Sequence, residues 1–135
     1  MKVQFVPVEY IHQTWPQVEA FVVSALQYCQ GEYTPEQAKV LLAAGQWDLF
    51  VAVDDSGTIH GAAAVRFNNM PNDRVAFIMT MGGKLITNPD NWQQFVEVLK
   101  YRGATRIEGA VRESMARFCT KYGLTEKYRI VGVSV

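Results

Sequence analysis

Few side chains in this 135-residue sequence are of kinds that do chemistry, and their spacing excludes several classes at once. His12 and His60 stand too far apart to be read as a ligand pair, and no carboxylate spacing accompanies them. No metal site is expected. His60 lies opposite a hairpin turn, where a surface or capping role competes with catalysis. Asp54-Asp55-Ser56-Gly57 begins like a calcium loop but lacks the rest of one. No Gly-x-Ser-x-Gly, Walker loop or complete dinucleotide fingerprint occurs. Cys119 has an ordinary thiol pKa of about 8.5 and needs a neighbouring base or cation to attack as a thiolate. On a helix it reads first as a small apolar filler. Gly82-Gly83, followed by Lys84, closes an apolar run, and glycine there marks a bulge or a close approach of backbone to something else.

The elements that must position these residues are legible around that glycine pair. Val75 to Met81 is too short for a helix and apolar enough for a buried strand. Asn88-Pro89 then offers an N-cap and a first-turn proline, and Trp92, Phe95, Val96 and Leu99 make one apolar helical face ending at Gly103. Thr105 to Val111 alternates as a strand, and Met115, Phe118 and Tyr122 mark a short helix before Gly123. Strand, helix, strand is a βαβ unit, expected to pair in parallel and cross over right-handed.

Upstream, Lys2 to Val8 reads as a strand. Thr14-Trp15-Pro16-Gln17 and Thr34-Pro35-Glu36-Gln37 each read as a capping box opening a helix, the helices ending at Gly31 and Gly45. Leu49 to Val53 and Thr58 to Phe67 form a hairpin about Asp54–Gly57, and Gly61-Ala62-Ala63-Ala64 is small enough for close packing. Tyr128 to Val135 is expected to close the chain as a strand. The order β-α-α-β-β-β-α-β-α-β predicts a single α/β domain over 1–135, a mixed twisted sheet with helices on both faces.

A hydrophobic fraction of 49% and three tryptophans fit a packed globule. A net charge of zero weakens a bulk nucleic-acid or membrane role. Residues 1–83 hold four basic and eight acidic side chains, and residues 84–135 hold nine and five. A phosphate-bearing ligand over the second half is one explanation; an ordinary solvated surface is the other. The two cysteines have neither disulfide nor metal spacing, which fits a reducing cytoplasm, and no apolar run is long enough to span a membrane.

This order of elements resembles the GNAT superfamily of acyl-CoA-dependent N-acyltransferases. In sequence the resemblance covers about residues 75–124. Aligned on Gly123, Leu124 takes the family's Phe position, Cys119 its Tyr position and Arg112 its Asn position. Gly82, Gly83, Trp92, Gly103, Arg106, Glu108, Gly109, Arg112 and Gly123 look like a divergent GNAT-like group of tailed phages and prophages, whose members sit among virion structural genes. The resemblance implies acetyl-CoA as cofactor and a small amine as substrate. It implies Gly82, Gly83, Lys84 and Arg112 on the cofactor side, with Gly82–Lys84 as a substitute anion site or else a bulge. Cys119 would stand where many members carry the proton donor to the leaving thiolate. Glu108 and Glu113 would be general bases for the amine, or Glu108 would pair with Arg106 or Arg112.

Two departures point away from an active enzyme. The family's alternating-glycine loop is replaced by GGKLITNPDNW, in which Pro89 supplies no amide to an anion, and Cys119 replaces the tyrosine. A GNAT-fold, phage-type accessory protein with a degenerate acyl-CoA site, weakly or non-catalytic, is therefore expected ahead of an acetyl-CoA-dependent N-acetyltransferase. It would reside in the host cytoplasm or a virion. Its terminal strand, with Val131, Val133 and Val135 on one face, would join a second copy or a virion protein.

Overall fold

The computed structural model describes all of residues 1–135. The strands are β1 (Lys2–Val6), β2 (Asp48–Val53), β3 (Ile59–Asn69), β4 (Arg74–Gly83) and β5 (Arg106–Gly109), and the helices are α1 (Ile11–Leu26), α2 (Pro35–Ala43), α3 (Pro89–Tyr101) and α4 (Glu113–Cys119). They build one five-stranded sheet in the order β1-β2-β3-β4-β5. Its first four strands are antiparallel neighbours, and β4 and β5 pair in parallel over Val75–Ile78 and Arg106–Gly109. The mixed sheet and its βαβ unit stand as expected.

Helices cover both faces. On one, Ile11, Trp15, Val18 and Val22 of α1 and Ala38 and Leu42 of α2 pack on Leu49, Val51, Ala62 and Ala64. On the other, Trp92, Phe95 and Leu99 of α3 and Cys119 of α4 pack on Phe50, Ala63, Val65 and Ala76. The alanines of β3 are fully or nearly buried, so both helical layers come close to a thin central strand.

The two expected capping boxes part company. At α2 the box is complete: the Gln37 N–H donates to Thr34 Oγ1 at 3.2 Å and the Thr34 N–H to Gln37 Oε1 at 2.9 Å. At α1 it does not form. That helix begins a turn earlier, after a 3-10 turn at Val8–Tyr10, so Thr14 and Pro16 lie inside it. Burial of Ile11 on the same stripe as Trp15, Val18 and Val22 favours the extra turn. The first strand is shortened to Val6 by that same turn.

The larger correction concerns the end of the chain. Tyr128–Val135 forms no strand, and Ile130, Val131 and Val133 are 82%, 93% and 89% exposed. Alternating β-branched residues supply strand propensity, but a strand also needs a neighbour for its ladder. This segment pairs with no strand of its own chain.

Candidate functional site

The site that the fold offers is the opening between β4 and β5. Pairing ends at Ile78–Gly109, while β4 runs on to Gly83. Where Ala64 faces Thr80 and Val65 faces Ile78, Met79 is the extra residue of a β-bulge in β4. A bulge bends the strand and ends regular pairing, so Thr80–Gly83 keep a ladder partner on the β3 side alone.

At the top of β4 the glycines are pressed into the protein itself. A Cβ at Gly83, where φ is +71°, would meet His60 O at 2.3 Å and the Phe21 ring at 2.8 Å. One at Gly82 would lie 3.0 Å from Phe21 O, and one at Gly61 2.8 Å from Lys84 N. The pair lets β4 pass between α1 and β3. The Lys84 backbone is also engaged: its N–H donates to His60 O at 2.9 Å, and its carbonyl accepts from Asn91 Nδ2 at 2.6 Å. The Lys84 side chain is exposed.

The start of α3 is similarly occupied. Asn88 Oδ1 accepts from the Asn91 N–H at 3.0 Å, and Pro89 has no N–H. That leaves Asp90 in the first turn, whose own carboxylate repels an anion. With Lys84 and Asn91 engaged and Pro89 lacking an N–H, fewer amides are left for a pyrophosphate than a cradle of converging backbone donors uses.

Between α3 and α4 the space is filled with aromatic side chains. Tyr122, just past α4, lies 5.3 Å from the Trp92 ring and 6.0 Å from that of Phe118, and its hydroxyl donates to Ile86 O at 2.7 Å. Cys119 is buried in the same cluster, and burial pushes its thiol pKa up. No thiolate is favoured there.

The other candidates are dispersed. Glu108 accepts from Arg106 Nε at 2.7 Å and Lys127 Nζ at 2.8 Å, and these bonds, Lys127's the larger, hold its carboxyl below the usual range. Its expected pairing with Arg106 is present. Neighbouring residues of a strand face opposite sides, and Ile107 faces the core that holds Cys119, so Glu108 points to the other face. Glu113 is exposed in the first turn of α4. Arg112 stands at that helix's N-cap without a capping bond and lays its guanidinium 4.1 Å above the Tyr28 ring, just beyond α1.

Three participants were not among the expected site residues. Tyr28 gave no signal beyond being aromatic, and Tyr122 only marked the apolar side of a short helix. Asn91 gave one: it falls at i−4 and i−8 from Phe95 and Leu99, a polar residue on an apolar stripe, and it is 1% exposed. His60, by contrast, is the bulged residue of β3, and its Nε2 sits 2.7 Å from Asp54 Oδ2. Asp54 also caps its own turn, accepting from the Ser56 and Thr58 amides, and these bonds, His60's first, hold its carboxyl far below the usual range. The capping role is the one seen.

No protein-family model matches the chain, and no curated protein matches it. Solved structures do. A probable acetyltransferase aligns with a TM-score of 0.69 at 13% identity over 100% of this chain and 97% of that one. An aminoglycoside acetyltransferase from an uncultured soil metagenomic sample aligns at 0.67 and 15%, over 99% and 97%. A predicted acetyltransferase with acetyl-CoA from Clostridium acetobutylicum aligns at 0.62 and 13%, over 98% and 95%. At such identities the likeness is one of fold. The fold is GNAT-like over the whole chain, and no helix is long and apolar enough to cross a membrane.

Proposed function

We propose that this GNAT-fold chain is a phage-type accessory protein that acts by association, its acyl-CoA site too degenerate for efficient transfer. The observation that carries the reading is the packed seam between α3 and α4, where Trp92, Phe118 and Tyr122 close on one another and the Tyr122 hydroxyl is committed to Ile86 O. The glycines packed on Phe21 and His60 and the occupied first turn of α3 support it. Fold does not fix function. A virion protein or a second copy is the class of partner, and the host cytoplasm or the particle is the place.

A second reading rests on the bulge at Met79. The strands do splay there, and an acetyl-CoA-dependent N-acetyltransferase acting on a small amine would use that opening. Titration calorimetry and thermal shift with acetyl-CoA separate the two. The accessory reading expects no heat and no shift at millimolar ligand. Binding with a Kd one-hundredth of the ligand concentration would stabilise the fold by about 2.7 kcal/mol, and that result would restore the enzyme.

A further inference from the structure

We infer that residues 128–135 of one copy add as a strand to the free edge of β5 in a second copy, reciprocally, forming a two-fold dimer. Three features of the chain converge on this. The first is the edge itself: β5 is the last strand of the sheet and pairs only with β4. Such an edge presents unpaired backbone groups to any extended segment nearby.

The second is the segment. Tyr128-Arg129-Ile130-Val131-Gly132-Val133-Ser134-Val135 is rich in β-branched residues, with Val131, Val133 and Val135 sharing one side of an extended chain. All eight residues are exposed in their own protomer.

The third is where the segment begins. Lys127 Nζ lies 2.8 Å from Glu108 on β5, which sets the root of the tail beside the edge. A cavity of about 370 Å³ adjoins it, lined by Met70, Pro71, Val75, Arg106, Glu108 and Lys127. Asn72 and Asp73 complete a mostly polar lining, in which Met70, 57% exposed, offers one apolar contact to a valine or isoleucine side chain.

A second copy is the occupant because every chain carries both halves of the arrangement at one place. Each tail leaves its own edge open, and a two-fold axis beside β5 satisfies both edges with both tails and closes the assembly. The opposite edge is already partly taken. There the Gln94 side chain already takes the Val3 N–H at 3.0 Å and donates to Met1 O at 3.0 Å.

The dimer deepens the association reading above, and the two can fail separately. A dimer that binds acetyl-CoA would sink the accessory reading and keep the dimer. A monomer that ignores acetyl-CoA would do the reverse. The test is light scattering on the full chain across low to high micromolar concentration, with V131P/G132P beside it. Successive N–H groups of a strand point to opposite edges, so this pair removes a donor whichever way the tail lies.

The expected result is a mass of twice 15.2 kDa for the native chain and association weakened at least about tenfold in the variant, equivalent to about 1.4 kcal/mol. A native monomer at high concentration overturns the inference, as does a larger open assembly or a dimer indifferent to the prolines. Amide exchange of the native chain gives a readout independent of the variant's folding. Residues 106–109 and 129–135 should gain protection together as concentration rises; no gain also overturns it.

Discussion

The two edges of the sheet are managed in opposite ways. At β1 a side-chain amide imitates a neighbouring strand: Gln94 of α3 accepts one backbone N–H and donates to one carbonyl of residues 1–3. At β5 the strand is four residues long, and the nearest segment, the tail, stands away from it. The closed edge is closed by a helix whose position the core dictates, since Phe95 of α3 meets Phe50 of β2 edge-to-face with ring centroids 5.6 Å apart. The open edge borders α4, of seven residues, held chiefly by the buried Cys119 and the half-buried Met115 and Phe118. Whether an edge is free thus depends on how firmly the neighbouring helix is held.

The largest effect should come from loosening the helix that closes the β1 edge. Phe95→Ala removes a fully buried ring that touches both Phe50 and Trp92. Phenylalanine-to-alanine changes in cores cost about 3–5 kcal/mol, enough to unfold a marginal domain. Deleting residues 128–135, measured in dilute solution where the chain is monomeric, should change stability by less than about 0.5 kcal/mol, as for exposed surface changes. Chemical denaturation of the two proteins checks the contrast. A tail deletion as costly as Phe95→Ala would mean that the tail packs on its own chain.

A smaller change should convert the closed edge into an open one. Gln94→Ala removes two hydrogen bonds to the β1 backbone, a loss of about 1–3 kcal/mol at 0.5–1.5 each. The freed N–H and carbonyl groups should also create a new, concentration-dependent association by light scattering. That association should survive V131P/G132P, because it uses the other side of the sheet. If Gln94→Ala stays as monodisperse as the native chain, the amide is not what guards β1.

Much of this architecture was legible because the signals were local and mutually consistent. Thr34, Pro35 and Gln37 form their box because the cap, the proline and the reciprocal glutamine lie within four residues and nothing distant competes. Thr14 to Gln17 has the same composition and fails, because Ile11 is drawn into the core and takes the helix start with it. Gly82 and Gly83 announced a close approach, but their sequence does not say whether the approaching atoms belong to a ligand or to Phe21 and His60. The tail carries real strand propensity, and no local signal says whether a partner strand stands within reach. Trp92 and Tyr122 each marked an apolar helix face, but no local signal says that residues thirty apart meet in one seam.

The smallest expected effect lies in two carboxylates that titrate in opposite senses, one at the open edge and one on an inner strand. Glu108, at the open edge, is held below the ordinary 4.5 by its bonds to Lys127 and Arg106. A lowered folded-state pKa gives stability that is present above the unfolded value and is lost as pH falls through the folded one. Asp48, at the base of β2, is raised above 3.8, burial outweighing an Arg102 guanidinium whose Nη2 lies 3.4 Å away. Its contribution has the reverse sign: it is full below the unfolded value and is lost as pH rises through the folded one. On acidification from about pH 6 to about pH 3, the native chain therefore loses stability at Glu108 while regaining some at Asp48. Glu108→Gln should flatten the acid limb of a urea-midpoint profile, and Asp48→Asn should steepen it. Because Lys127 is the root of the tail, Lys127→Ala should flatten the limb too, in the same direction as Glu108→Gln. Should Asp48→Asn and Glu108→Gln instead shift the limb the same way, the opposition between the inner-strand and the edge carboxylate does not hold.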